Sequence, residues 1–71
     1  MLGSELRRAR EAAGLTQEEV AELARVDRTY VSLLERDKKS PTVNVLFRIC
    51  DALGVTASSI IAEVERSNGG P

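Results

Sequence analysis

The chain has 71 residues, a formal net charge of −1 and only 3% aromatic residues, enough for one small domain that buries about 60% of its unfolded surface. With a single cysteine and no histidine, an intrachain disulfide framework, His/Cys metal sites and histidine acid–base catalysis are all excluded. The start, MLGSELRRAR, carries no apolar run, so it is neither a signal peptide nor a membrane anchor, and a cytoplasmic domain in a reducing compartment is expected.

Low aromatic content beside abundant Ala, Leu, Val, Glu and Arg favours helices over a sandwich or barrel, and the pattern divides into five. Helix 1 is predicted to open at Ser4, with Glu5 complementing the dipole. Leu2, Leu6, Ala9 and Ala13 repeat at helical spacing, and Gly14 supplies a left-handed stop. Helix 2 opens in LTQEEV, where Thr16 and Glu19 form a capping box flanked by Leu15 and Val20 as a hydrophobic staple. Val20, Ala21 and Ala24 form its inward face, with Leu23 near the edge. Only Arg25 and Val26 then separate it from helix 3, which opens at Asp27 with Val26 and Val31 as a second staple. Two helices joined so tightly cannot lie flat against each other. They must cross steeply, which is the geometry of a helix-turn-helix.

Helix 4 opens at Thr42 after Pro41 and runs through VNVLFRICDAL to a Gly54 stop. Its inward stripe is Val43, Leu46, Ile49, Cys50 and Leu53, with Cys50 a small core residue. Helix 5 opens at Thr56, with Val55 and Ile60 as a third staple, and ends near Arg66. The expected architecture is all-α, a compact five-helix bundle over residues 1–66, followed by a flexible tail at 67–71. No second domain for ligand binding or proteolytic control is expected.

At about 100° per residue, Val31, Leu34, Tyr30 and Glu35 form the inward half of helix 3. Ser32, Arg36, Thr29 and Leu33 point away, and Arg28 sits at the boundary, where its long side chain can swing outward. That outer face holds hydroxyls, a leucine and arginines but no Glu/Lys pairs at i,i+4 spacing. Such residues suit a DNA major groove: arginine forks onto guanine, Ser and Thr bond to several bases, and Leu touches a thymine methyl. An ordinary solvated face is the plain alternative. Gln17, at the first turn of helix 2, could extend the anion site of its free N–H groups onto a phosphate, or simply be solvated. The run Arg36, Lys38, Lys39 is either solvated or makes phosphate contacts that position without reading sequence.

Arg10 lies close to the Leu6–Ala13 stripe and Glu35 on the inward half of helix 3, where an unpaired charge would be unfavourable. A structural Arg10–Glu35 ion pair between helices 1 and 3 follows as an expectation. Phe47, Ile61 and Val64 are apolar beyond what one small core can hold. They form a candidate dimer patch, the alternative being that they complete the monomer's core. No nucleophile–base or metal constellation is present, so no enzyme, cofactor, metal or small-molecule ligand is expected.

The segments LRRAREAAGLTQEEVAEL, VDRTYVSLLER, KKSPTV and LFRICDALGV together resemble the lambda-repressor-like (Cro/cI, XRE-type) helix-turn-helix family. The likeness covers about Leu6 to Ile61, and DRTYVS also looks like the controller proteins of restriction–modification systems. The resemblance implies a transcription regulator that binds a double-stranded DNA operator as a two-fold dimer. By it, Gln17 looks like the family's phosphate-contacting glutamine, and Arg28, Thr29 and Ser32, with Leu33 and Arg36 nearby, fall on groove-facing positions. Lys38, Lys39, Thr42 and Asn44 fall where the backbone is usually met, and Arg10 and Glu35 on positions that pair. RNA polymerase is a further candidate partner. An antitoxin-like module of the same fold, whose main partner is a protein, is the rival. The family often has glycine in the turn and after helix 3, where this chain has Arg25 and Asp37. Both sites are expected to need positive φ, which Asp tolerates better than Arg.

Overall fold

A computed structural model describes residues 1–68, which form five helices: α1 Leu2–Ala13, α2 Gln17–Ala24, α3 Arg28–Glu35, α4 Val43–Leu53 and α5 Ala57–Asn68. Among the described residues there is no strand. The caps are local and follow from side-chain chemistry. Thr16 Oγ1 accepts from the Glu19 N–H at 3.1 Å while Glu19 Oε1 accepts from the Thr16 N–H at 2.9 Å, so two donors at the start of α2 are satisfied reciprocally. Thr42 Oγ1 accepts from the Val45 N–H and Thr56 Oγ1 from the Ser59 N–H, each at 3.2 Å. Asp27 precedes α3 in extended conformation without a side-chain capping bond. Gly14 and Gly54 end α1 and α4 at φ 72° and 73°, where a side chain would be strained.

The core consists of Leu6, Val20, Ala21, Ala24, Val31, Leu34, Leu46, Ile49, Cys50, Leu53 and Ile60. The second helix is central and packs on both α3 and α4, while α1 closes the bundle across α3 and α5. Ala21 and Ala24, both buried, let neighbouring backbones come close to α2. At the Gly54 corner the chain bends by 104° from α4 into α5. No single helix among the described residues is long and apolar enough to cross a membrane.

Several sequence expectations need correcting. The first helix starts at Leu2, and Ser4 is inside its first turn, with its hydroxyl donating to the Met1 carbonyl at 3.0 Å. The added turn has a partner far along the chain, since the Gly3 N–H donates to Asp37 Oδ1 at 2.9 Å. Ala13, the last residue of α1, is exposed rather than part of the inward stripe. Val43 is 65% exposed. It lies roughly 60° round the helix from Leu46, in the first turn of α4, and at i,i+4 spacing it shares an outer face with Phe47. Leu23 is fully on the surface side of α2. The last helix continues through Ser67 and Asn68, which were expected in the tail at 67–71, and residues 69–71 lie outside the described residues.

Candidate nucleic-acid interface

The corner between α2 and α3 is made by one left-handed residue. Arg25 adopts φ 60°, ψ 49°, and the Val26 N–H returns to the Ala21 carbonyl at 2.9 Å, closing α2 with a C-terminal cap of the kind glycine normally provides. Asp27 then extends at φ −73°, ψ 145°, and α3 leaves in a new direction. Val26 and Tyr30 are half-buried against the core and Val31 and Leu34 fully buried, so α3 is fixed along one side.

Its other side is open. Arg28, Thr29 and Arg36 are exposed, whereas Ser32 and Leu33 are half-buried, more covered than an outward-facing pair would be. Arg28, Thr29 and Ser32 share a shallow hollow of about 180 Å³ with Gln17 from the start of α2. Arg36 folds back along its own helix, its Nε at 3.4 Å from the Ser32 carbonyl. Lys38, Lys39, Thr42 and Asn44 follow as an exposed run in the α3–α4 loop and the start of α4. Among the described residues, none of Arg28, Arg36, Lys38 and Lys39 is tied to a carboxylate in an ion pair.

Behind this face lies a polar knot. Arg10 Nε and Nη2 donate to Glu35 Oε2 and Oε1 at 2.7 and 3.1 Å, and Nη1 donates to the Leu15 carbonyl at 2.9 Å. Gln17 Nε2 donates to the same Glu35 Oε1 at 3.1 Å. The Arg10 and Glu35 side chains are 14% and 5% exposed. Such a pair is tolerable in a core only when fork geometry and further bonds satisfy it, and here three donors meet one carboxylate. The hydrogen bond to Glu35 holds the Arg10 pKa above its ordinary value, outweighing burial, which acts in the opposite direction. The sequence pointed to neither the Gln17–Glu35 bond nor the Gly3–Asp37 bond, because each joins segments whose proximity is set only by the packed bundle.

Apolar side chains also remain outside the core on α4 and α5: Phe47 is 56% exposed, Val43 and Ile61 are exposed and Val64 is half-buried. Phe47, Asp51, Val55 and Ala57 border an open groove of about 390 Å³, with Cys50 among its lining residues. The Cys50 thiol is pushed up in pKa by burial, as suits an inert core thiol.

Residues 6–60 match the family model described as "Helix-turn-helix". A curated relative, the uncharacterized HTH-type transcriptional regulator y4dJ of Sinorhizobium fredii, is 36% identical over 94% of this chain and 87% of its own length. The transcriptional regulator ClgR of Mycobacterium tuberculosis is 38% identical over 89% of this chain and 56% of its own length. The chain spans only about half the length of several curated relatives that it matches. Among solved structures, the clp gene regulator ClgR of C. glutamicum superposes with a TM-score of 0.88 at 38% identity, covering 93% of this chain and 86% of that one. The restriction–modification controller protein C.AhdI of Aeromonas hydrophila gives 0.81 at 32% identity, covering 83% and 89%. SinR, described as the master regulator for biofilm formation and solved in complex with DNA, gives 0.81 at 27% identity, covering 86% and 98%.

Proposed function

Because the chain belongs to the helix-turn-helix family of DNA-binding transcription regulators, we propose that it regulates transcription as a homodimer on a palindromic double-stranded operator, with α3 in the major groove. The observation that carries this is the open side of α3, where exposed arginine and hydroxyl groups stand beside the exposed lysines of the following loop.

Arg28, Thr29, Ser32, Leu33 and Arg36 are assigned to base edges. Arg28 and Arg36 supply forked donors for guanine, and the half-covered Ser32 and Leu33 line the floor of the contact. Gln17 is assigned to a phosphate together with the free N–H groups of the α2 start. One amide hydrogen engages Glu35 and the second remains for the phosphate. Thr42 uses an oxygen lone pair on the Val45 N–H and keeps its hydroxyl hydrogen to donate. Lys38, Lys39 and Asn44 complete the backbone set, which positions the protein without reading sequence. Phe47, Ile61 and Val64 are assigned to the dimer contact, with half-sites about 34 Å apart. The site of action is the cytoplasmic nucleoid, and RNA polymerase is the partner through which occupancy changes transcription.

Selection of bound duplexes from a random pool tests the reading. A palindromic consensus is expected, with affinity falling linearly on a log–log plot against salt. Lys38→Ala should weaken binding to all duplexes alike and reduce the salt slope by about one unit. No salt-dependent shift at physiological ionic strength would refute the DNA role and leave the protein-binding, antitoxin-like alternative.

A further inference from the structure

The first turn of α1 meets the end of α3 in a manner that neither the core nor the DNA-facing residues require. Gly3 is buried, and a Cβ added there would come within 2.5 and 2.6 Å of the Glu35 and Leu34 carbonyl oxygens. Backbone thus lies directly on backbone, a closeness only glycine permits. Asp37, at φ 57°, uses its carboxylate to accept the Gly3 N–H at 2.9 Å. The positive start of α1 therefore faces the negative end of α3 and the carboxylate beside it, a favourable arrangement of dipoles and charge.

Asp37 is also the one acid in the run Arg36, Asp37, Lys38, Lys39. It interrupts the stretch assigned above to the phosphate backbone. A carboxylate free among these residues would lie within a Debye length, about 8 Å at physiological salt, of the lysines, and would offset one of them. Bound to an N–H at a helix start, it is turned toward a partial positive charge of about half a unit, which offsets part of its field.

We propose that the first turn of α1 is a positioning element for the DNA-facing loop: Gly3 holds the Asp37 carboxylate at the helix start and keeps its charge from opposing Arg36, Lys38 and Lys39 at the phosphates. The inference rests on the DNA-binding reading above. Gly3 and Asp37 are positioning residues in it and need not touch DNA.

Gly3→Ala forces the first turn off the α3 carbonyls. Ser4 can then serve as the cap of a helix one turn shorter, so the rest of the bundle has a route to remain folded. Wild type, Gly3→Ala, Asp37→Asn and the double variant are compared on the selected duplex over a salt series, with melting temperatures recorded alongside. Asparagine keeps an acceptor for the Gly3 N–H and tolerates positive φ, so Asp37→Asn alone should bind within about threefold of wild type. Gly3→Ala should lower the melting temperature and reduce the salt slope by about one unit, as expected for one phosphate contact offset. The double variant should recover the slope but not the melting temperature, a separation that a purely structural role for Gly3 would not produce. Equal slopes for Gly3→Ala and the double variant would overturn the proposal, as would much tighter binding by Asp37→Asn alone.

If Gly3→Ala fails to fold, Asp37→Glu and Asp37→Gln replace it. Glutamate keeps the charge but its extra methylene carries it off the Gly3 N–H, and glutamine has the same length without the charge. Only the glutamate variant should lose slope, and equal slopes would overturn the proposal. A wild-type chain that binds no duplex would refute the DNA role and this inference with it. Normal wild-type binding with one slope throughout would refute the inference alone.

Discussion

Arg10 forms three bonds with two parts of the chain, two to Glu35 and one to the Leu15 carbonyl. Removing Glu35 would strand a guanidinium among apolar neighbours and release the Gln17 amide. Glu35→Ala should therefore lower unfolding free energy in urea by about 3 kcal/mol, the low end for a broken buried pair, because Arg10 retains some access to water. The raised Arg10 pKa stabilises the fold at every pH below the ordinary arginine range and is lost only as pH rises through the folded value. Cys50 has the same sign. Burial raises its pKa, so its contribution is complete below the ordinary thiol range and disappears as pH climbs through the folded value. The melting temperature of wild type should thus fall more steeply on alkalinisation than that of Cys50→Ala. The inward lean of Arg10 and Glu35 was legible because helical spacing alone places both near the apolar stripe. The third member, Gln17, was legible only as a helix-start residue. Its bond depends on the crossing of α2 and α3, which no local pattern encodes.

At the scale of elements, the informative residue is Arg25, because a non-glycine at φ 60° strains its own backbone by about 1–2 kcal/mol. Glycine removes that strain but gives the unfolded chain more freedom, an opposing effect of about 0.5–1 kcal/mol. Relief of strain outweighs the added freedom. Arg25→Gly should raise stability by about 0.5–1 kcal/mol, measured by chemical denaturation, and leave the α2–α3 corner unchanged. The starts of α2, α4 and α5 were readable from Thr16, Thr42 and Thr56, since each hydroxyl caps a donor only three residues away. The start of α1 was not. Ser4 offered the expected local cap, but the helix gains an extra turn because Asp37, thirty-four residues distant, accepts the Gly3 N–H. Local chemistry names a helix start correctly until a tertiary partner offers a better one.

For the whole molecule, the central question is how so small a core leaves apolar side chains outside. Leu46, Ile49, Cys50 and Leu53 fill the side of α4 that meets α2, so Val43 and Phe47 on the flank have no room inside. The chain then bends by 104° into α5. Phe47 borders the groove at that corner together with Val55 and Ala57, while Ile61 is a further exposed apolar residue on α5. Phe47→Glu would place a carboxylate in the proposed dimer contact without disturbing the core. Light scattering should then show monomer at concentrations where wild type is dimeric, and operator affinity should fall by about tenfold or more, since two half-sites would no longer be engaged together. The composition gave the surplus of apolar residues but not their arrangement. Spacing places Val43 near the inward stripe, but it cannot reveal how far along α4 the core extends, and Val43 is 65% exposed.

Three separate ties hold α3: Glu35 to Arg10, Glu35 to Gln17, and Asp37, just beyond its last turn, to Gly3. An element clamped from two other helices has little freedom left to surrender when a partner arrives. Titration calorimetry should accordingly register a heat-capacity change no larger than the apolar area covered on docking demands, without the surplus that marks segments folding as they associate.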